Sequence, residues 1–211
     1  MPRIAMAAIA LLSGRQAALV AAMVIGLGLA LPPESHAQQA TTSLLLVARQ
    51  QMRDALFAQS VVLVTRHGRS RPMGVILNKP TDIKFGLEEG PDKGVATTHT
   101  LYRGGPVSPH VTVYLYKDPT VERPSARRDL LDLGGGLFMG MGSAVPGALL
   151  RQPEIRLKAF QGFSSWAHGQ LEAEISRGDW LVLPFDAELA LRGDVSRLWE
   201  ELIAKASQRR I

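Results

Sequence analysis

The residues able to do chemistry are few and scattered. Gly162-Phe163-Ser164-Ser165-Trp166 has two serines between glycine and tryptophan, with His168 close behind. A serine hydrolase would use one of these hydroxyls as nucleophile and the imidazole as base. The strand-to-helix elbow that exposes such a serine needs glycine two residues after it, and Trp166 stands there behind Ser164. The motif is therefore a weak one, and a hydrolase through Ser164 or Ser165 is carried only as an alternative. Glu172 and Glu174 lie two apart, so on a helix they point to different faces and do not form a local acid–base pair. They read instead as a helix-dipole partner (Glu172) and an ion-pair partner of Arg177 or a loop arginine (Glu174). His67, His99, His110 and His168 are isolated, and the chain has no cysteine. No metal site, no cofactor motif and no disulfide framework is expected.

Two groups remain as binding candidates. Arg66-His67-Gly68-Arg69-Ser70-Arg71 is the densest basic run. As a hairpin tip, Arg66, Arg69 and Arg71 would meet an anion, while the lack of aromatic neighbours argues against base stacking. The second group is Asn78, Arg103, Gly104, Gly105, Trp166, Gln170 and Glu172. If the fold brings these together, side-chain amides and bare backbone N–H groups would line one cleft for a small anion or a protein partner. The plain alternative is that Asn78 caps a strand end and Gly104-Gly105-Pro106 is only a turn.

The elements that must position these residues centre on 162–180. Gly169 suits a helix start, with Glu172 in the first turn, and Leu171 and Ile175 share a face. Gly178 suits a left-handed helix stop. Residues 180–183 read as a buried strand ended by Pro184. So short a helix must dock, and Trp166 and Trp180 are large enough to dock it. Upstream, 43–48, 60–65 and 73–78 read as strands, and 50–59 as a short helix or wide turn. The segment 81–100 reads mainly as loop, with a short helix around 85–89 conceivable. Strands are expected at 110–116, 137–141 and 155–159, a loop at 117–128, and a short helix within 143–152 with Pro146 in its first turn. Val195, Leu198, Trp199, Leu202 and Ile203 form one apolar stripe, which predicts a helix over 194–207 capped by Asp194, with Trp199 in the core and a Glu201–Lys205 pair outside. Without regular strand–helix alternation, the fold class is α+β with a mainly antiparallel, curved sheet.

The 211 residues suffice for one sizeable domain. Net charge is +5, and +4 without residues 1–37, which hold Arg3, Arg15 and Glu34. Arg3 and Arg15 precede an apolar run at 17–31, Pro32-Pro33 breaks it, and Ser35-His36-Ala37 resembles an export-peptidase site. We expect a signal peptide over 1–37 cleaved after Ala37, a disordered lead-in at 38–42 and a domain at 43–211. The product would be periplasmic or secreted, with no stable membrane span after cleavage. The rival to cleavage is an uncleaved anchor. A start at Met6 or Met23 would account for the first apolar patch at 4–12, and a retained or mis-annotated N-terminal segment is the alternative that would leave the protein a cytoplasmic regulator.

An ordered set of blocks resembles the YqgE/AlgH family. They are residues 45–48 with Met52, Asp54 and Phe57; Ser60-Val61-Val62-Leu63; His67-Gly68; residues 73–80; Gly104-Gly105-Pro106-Val107; residues 162–180; and Trp199. The sequence departs from the pattern at Ala55, Pro72, Ser164 and Ser165. The resemblance implies an α+β fold with a bent sheet closed into a pseudo-barrel and helices packed around it. It brings no catalytic mechanism, and some members are described as transcriptional regulators of alginate synthesis. A regulator that touches DNA must stay in the cytoplasm, so an export signal argues against nucleic acid as a partner. The expectation is a non-enzymatic accessory module that binds a ligand or partner, with oligomeric state open.

Overall fold

The computed structural model describes residues 41–86, 98–117 and 130–208. The expected signal peptide, residues 87–89 of the conceivable helix and most of the 117–128 loop lie outside these. The described residues belong to one unit, built on a ten-stranded sheet. The strands are β1 (Thr41–Ala48), β2 (Val61–His67), β3 (Met73–Ile76), β4 (Pro80–Phe85), β5 (His99–Arg103), β6 (Val107–Lys117), β7 (Leu130–Gly134), β8 (Leu137–Gly142), β9 (Arg156–Ser165) and β10 (Trp180–Pro184). The helices are α1 (Gly147–Leu150), α2 (Gln170–Arg177), α3 (Ala187–Ala190) and α4 (Leu198–Gln208).

The strand order is β10-β1-β2-β3-β9-β6-β8-β7, with β5 beside β9 and β4 beside β5. Every pairing is antiparallel except β5 with β9. The sheet curls into a half-barrel, bringing β7 towards β1. The bend has a cause in β9. Its first part pairs with β5 and β6, and its last two residues pair with β3. Gly162, at φ 66°, is the joint between them. Opposite it, β6 loses register between Val107 and Thr112, where Ser108 also takes a positive φ of 47°. An extra stretch on one strand bends and twists a sheet.

Both faces of the β1–β2 pair are covered. Leu45, Val47, Val61 and Leu63 face the core inside the curl, where α4 packs; Leu46, Ala48, Val62 and Val64 face a second core under α2. That explains the unbroken apolar runs, since a strand buried on both sides needs no alternation. A third cluster holds the Tyr114, Tyr116 and Phe138 side of the sheet. The alternation expected in β6 is present, but its tyrosine face is buried too.

Several expectations are corrected. β1 starts at Thr41, because Thr41 and Thr42 pair with His67 and Arg66. Residues 81–85 and 99–100 are strand, not loop: β4 and β5 pair with each other although their polar residues hide any alternation. β7 forms across a turn in which Gly134, Gly135 and Gly136 all have positive φ. β9 runs on to Ser165, past the expected end at 159, and Gly162 is a bend inside it. The segment 50–59 holds turns, not a helix, with Asp54 Oδ1 accepting from the Leu56 and Phe57 amides. The last helix begins at Leu198, because Asp194 caps a separate turn through the Ser196 amide and hydroxyl. Glu201 pairs with Arg192 at 2.5 Å, not with Lys205. Trp199 is core as expected, and its indole N–H donates to the Ala48 carbonyl at 2.6 Å.

Candidate functional site

α2 is defined by its ends. Gly169 enters it at φ 76°, and Gly178 leaves it at φ 81° with its N–H on the helix's last carbonyls. Left-handed residues of this kind favour glycine. Between them, Leu171 and Ile175 point inward onto Trp166 and Trp180, each 3% exposed. Phe57 meets Trp180 edge-on at 5.6 Å.

Glu174 is the hinge of the arrangement. Its Oε2 accepts from both indole N–H groups, each at 2.9 Å, and its Oε1 accepts from the Gln170 amide at 2.9 Å. Gln170 in turn accepts from the Ala167 N–H at 3.0 Å. The expected arginine partner of Glu174 is replaced by two tryptophans; Arg177 pairs with Asp179 at 2.7 Å instead. Hydrogen bonds to a charged acceptor are short and strong, so one carboxylate holds both rings in register. Glu172 pairs with Arg66 at 2.7 Å, which holds its carboxyl below the usual range. Both partners are well exposed, so this pair adds little stability.

The rings wall a cleft of about 840 Å³. Its lining also includes Met52, Arg53 and Phe57 of the 50–59 turns, and Ser164 and Ser165. Ser164 Oγ donates to the Gly104 carbonyl at 3.4 Å, and Ser165 Oγ to the Pro72 carbonyl at 3.5 Å. No hydrogen bond joins either serine to His168 among the described residues. Arg53 reaches the cleft from the rim without an ion-pair partner among the described residues.

The other candidates fall elsewhere. Asn78 Oδ1 accepts from the Val61 N–H at 2.8 Å and its amide donates to the Gln59 carbonyl at 2.9 Å. It clamps a turn in which Gln59 has φ 55°. Asn78 lines a separate cleft of about 430 Å³ with Lys79, Asp194 and Trp199, residues of which none lines the indole cleft. Trp199 belongs to the core inside the curl and Trp166 to the core under α2, so the two clefts lie on opposite faces of the sheet. Gly104 and Gly105 sit against β9: a Cβ would come within 2.1 Å of the Gly162 carbonyl oxygen and 2.3 Å of the Phe163 carbonyl carbon. They are close backbone approaches, with Ile76 N–H donating to Gly104 O. Arg103 is exposed, and its N–H pairs with Lys79 O. The seven-residue group therefore does not form one cleft: Trp166 and Gln170 line one, Asn78 the other, and Glu172 faces Arg66. Of the basic set, Arg69 and Arg71 remain exposed at the β2–β3 turn while Arg66 is engaged.

Sequence reasoning passed over Lys158. Its side chain is 4% exposed, its Nζ stands 4.1 Å over the Tyr102 ring and it donates to the Arg192 carbonyl at 3.1 Å. Burial lowers its pKa to about 7. Tyr102 donates to the neighbouring Gly193 carbonyl at 3.3 Å, and burial and Asp194 raise its pKa. The available signal was parity: Lys158 is two residues from Phe160, on the core-facing side of β9. Among the described residues no group of three or more His, Asp or Glu could hold a metal ion, and no helix is long and apolar enough to cross a membrane.

A curled, mainly antiparallel half-barrel with an indole–carboxylate corner defines the class, and the comparisons give the family. Residues 45–209 match the model of the AlgH-like family, DUF179. A UPF0301 protein of Myxococcus xanthus is 34% identical over 160 residues, covering 74% of this chain and 85% of that protein. One of Methylococcus capsulatus is 31% identical over 182 residues, covering 82% and 94%. The chain belongs to the AlgH-like (UPF0301) family. A crystal structure of a Corynebacterium diphtheriae protein matches with TM-score 0.60 at 26% identity, covering 77% of this chain and 85% of that one. The solution structure of Pseudomonas aeruginosa AlgH shares the fold, with TM-score 0.56 at 24% identity, covering 80% and 88%.

Proposed function

We propose that this chain is an exported, non-enzymatic accessory module that binds a small anionic ligand in the indole cleft. The observation that carries the reading is the Trp166–Glu174–Trp180 arrangement: two rings fixed by one carboxylate beside an open cleft with Arg53 at its rim. The buried rings preset the shape of the cleft, and a preformed concave site with a few polar groups is the usual make-up of a ligand site. Neither serine hydroxyl is hydrogen-bonded to His168 among the described residues; each meets a backbone carbonyl instead, which favours binding over acyl transfer. Arg53 would supply the charge and the cleft wall the contact area. Export rests on the order Arg3, Arg15, the apolar run 17–31 and Ser35-His36-Ala37.

Fractionation of the native host tests export: a mature form beginning at Gln38 outside the cytoplasm supports it, and an intact cytosolic chain overturns it in favour of a cytoplasmic regulator. Native mass spectrometry of the protein as isolated tests binding. A small-molecule adduct retained by the unsubstituted chain and lost on Arg53→Ala supports the cleft; an adduct indifferent to that change sinks it. Ester hydrolysis abolished by Ser164→Ala or Ser165→Ala would replace binding with catalysis.

A further inference from the structure

β10 ends the sheet, and among the described residues it pairs only with β1. Exposed strand edges are normally blunted by charge, bulges or cover. β10 reads Trp-Leu-Val-Leu-Pro, with no charge, and Val182 at its centre is 46% exposed. The edge is also recessed. A groove of about 430 Å³ runs along it, flanked by Ile175 of α2 and Ala206 of α4. Ile175 packs on the Trp166 side of the sheet, and α4 on the other. A second globular copy approaching edge-on must clear both helices. A single extended chain needs only the strand spacing of about 4.8 Å.

One polar observation says which chain. Arg49, a half-buried residue, lines the groove, and its side chain has no hydrogen-bond or ion-pair partner among the described residues. A guanidinium left unpaired beside an apolar groove calls for an acceptor. The Arg49 N–H donates to the Asp179 carbonyl, which puts Arg49 at the Trp180 end. At that end stands the 49–52 turn, tied to the Gly178 carbonyl by Gln51 at 3.3 Å. An added strand running antiparallel to β10 starts opposite Pro184 and finishes opposite Trp180. Antiparallel pairing is the more stable sense. Its last residue therefore arrives at Arg49, with the turn in front of it.

We propose that the α2–β10–α4 groove binds the extended, apolar C-terminal tail of a partner polypeptide by strand addition to β10, with the tail's terminal carboxylate held by Arg49. Main-chain hydrogen bonds supply the pairing, and the tail's side chains of one parity cover Val182 and Ile175 while those of the other parity face Ala206. The groove shares only Trp180 with the indole cleft, so it stands whether or not that cleft binds a ligand.

The test titrates the purified full chain with the probe acetyl-Thr-Val-Thr-Val-Val by calorimetry. Three forms are compared: free acid, C-terminal amide, and a form N-methylated at alternate backbone positions. The expected result is binding of the acid, roughly tenfold or more weakening by amidation, and loss on methylation. Arg49→Gln should bring acid and amide to the same affinity; should that variant not fold, the acid–amide comparison on the unsubstituted chain decides. Equal affinity for acid and amide, binding that survives methylation, or no binding at millimolar peptide overturns the proposal. A peptide-free dimer with β10 amides protected from exchange overturns it too, because a second copy would then fill the groove. An Asp placed at the last position of an amidated probe, if it binds as well as the free acid, refutes the terminal carboxylate as the feature read.

Discussion

Lys158 brings an amine onto the core face of β9, over Tyr102 and under the Arg192 carbonyl. Its folded-state pKa, about 7, lies below the unfolded value of 10.5. Between these the unfolded chain holds a proton that the folded chain lacks, so stability rises as pH rises from 7 to 10.5. Below 7 both states are charged and the cost of burial is full; above 10.5 neither is charged and it is gone. Lys158→Met should flatten that rise, measured as urea midpoints at pH 7 and pH 10; an unchanged slope would show that another group carries it. Glu174 acts in the opposite sense, by satisfying donors. Glu174→Ala leaves two indole N–H groups and the Gln170 amide without their acceptor. A loss of about 2–4 kcal/mol is expected from the urea midpoint, together with altered tryptophan emission.

Elements here are joined by backbone contact as much as by side chains. The Gly104-Gly105 turn lies directly on β9 at its joint, and any Cβ there meets backbone that cannot yield. Gly105→Ala should therefore cost about 3 kcal/mol or more, or prevent folding. Gly169→Ala, at a positive φ but with open space around it, should cost only about 1 kcal/mol. Circular dichroism during urea unfolding ranks the two, and equal losses would refute the distinction between close packing and conformational strain. The same logic explains why α2 is short yet ordered: its glycines set its ends, and its stability comes from the tryptophans it covers.

At the scale of the molecule, β9 is the shared strand, pairing with β3, β5 and β6. Its centre is buried on both faces by Phe160 and Ala159. Hydrogen exchange should find the amides of 158–161 among the slowest and those of β10 markedly faster, since edge strands open at lower cost. Protection of β10 equal to that of β9 in the peptide-free monomer would contradict an open edge. The sheet itself separates the two clefts, because successive residues of one strand face opposite sides.

The amino-acid sequence by itself determined the local features. Positive-φ glycines mark both ends of α2, apolar runs mark the doubly buried strands, and the 195–203 stripe marks the docked helix, because each depends on periodicity or on the conformational freedom of a single residue. The ordered blocks likewise carry the family and the α+β class. Only the tertiary structure decided what is non-local. It paired β4 with β5, whose polar residues carry no alternation, and turned Gly162 into a bend where three partner strands meet. It gave Glu174 to two indoles rather than to an arginine, and put Asn78 and Trp166 on opposite faces of one sheet. Strand pairing and hydrogen-bond partnership depend on which segments the curl brings together, and no spacing along the chain encodes that distance through space.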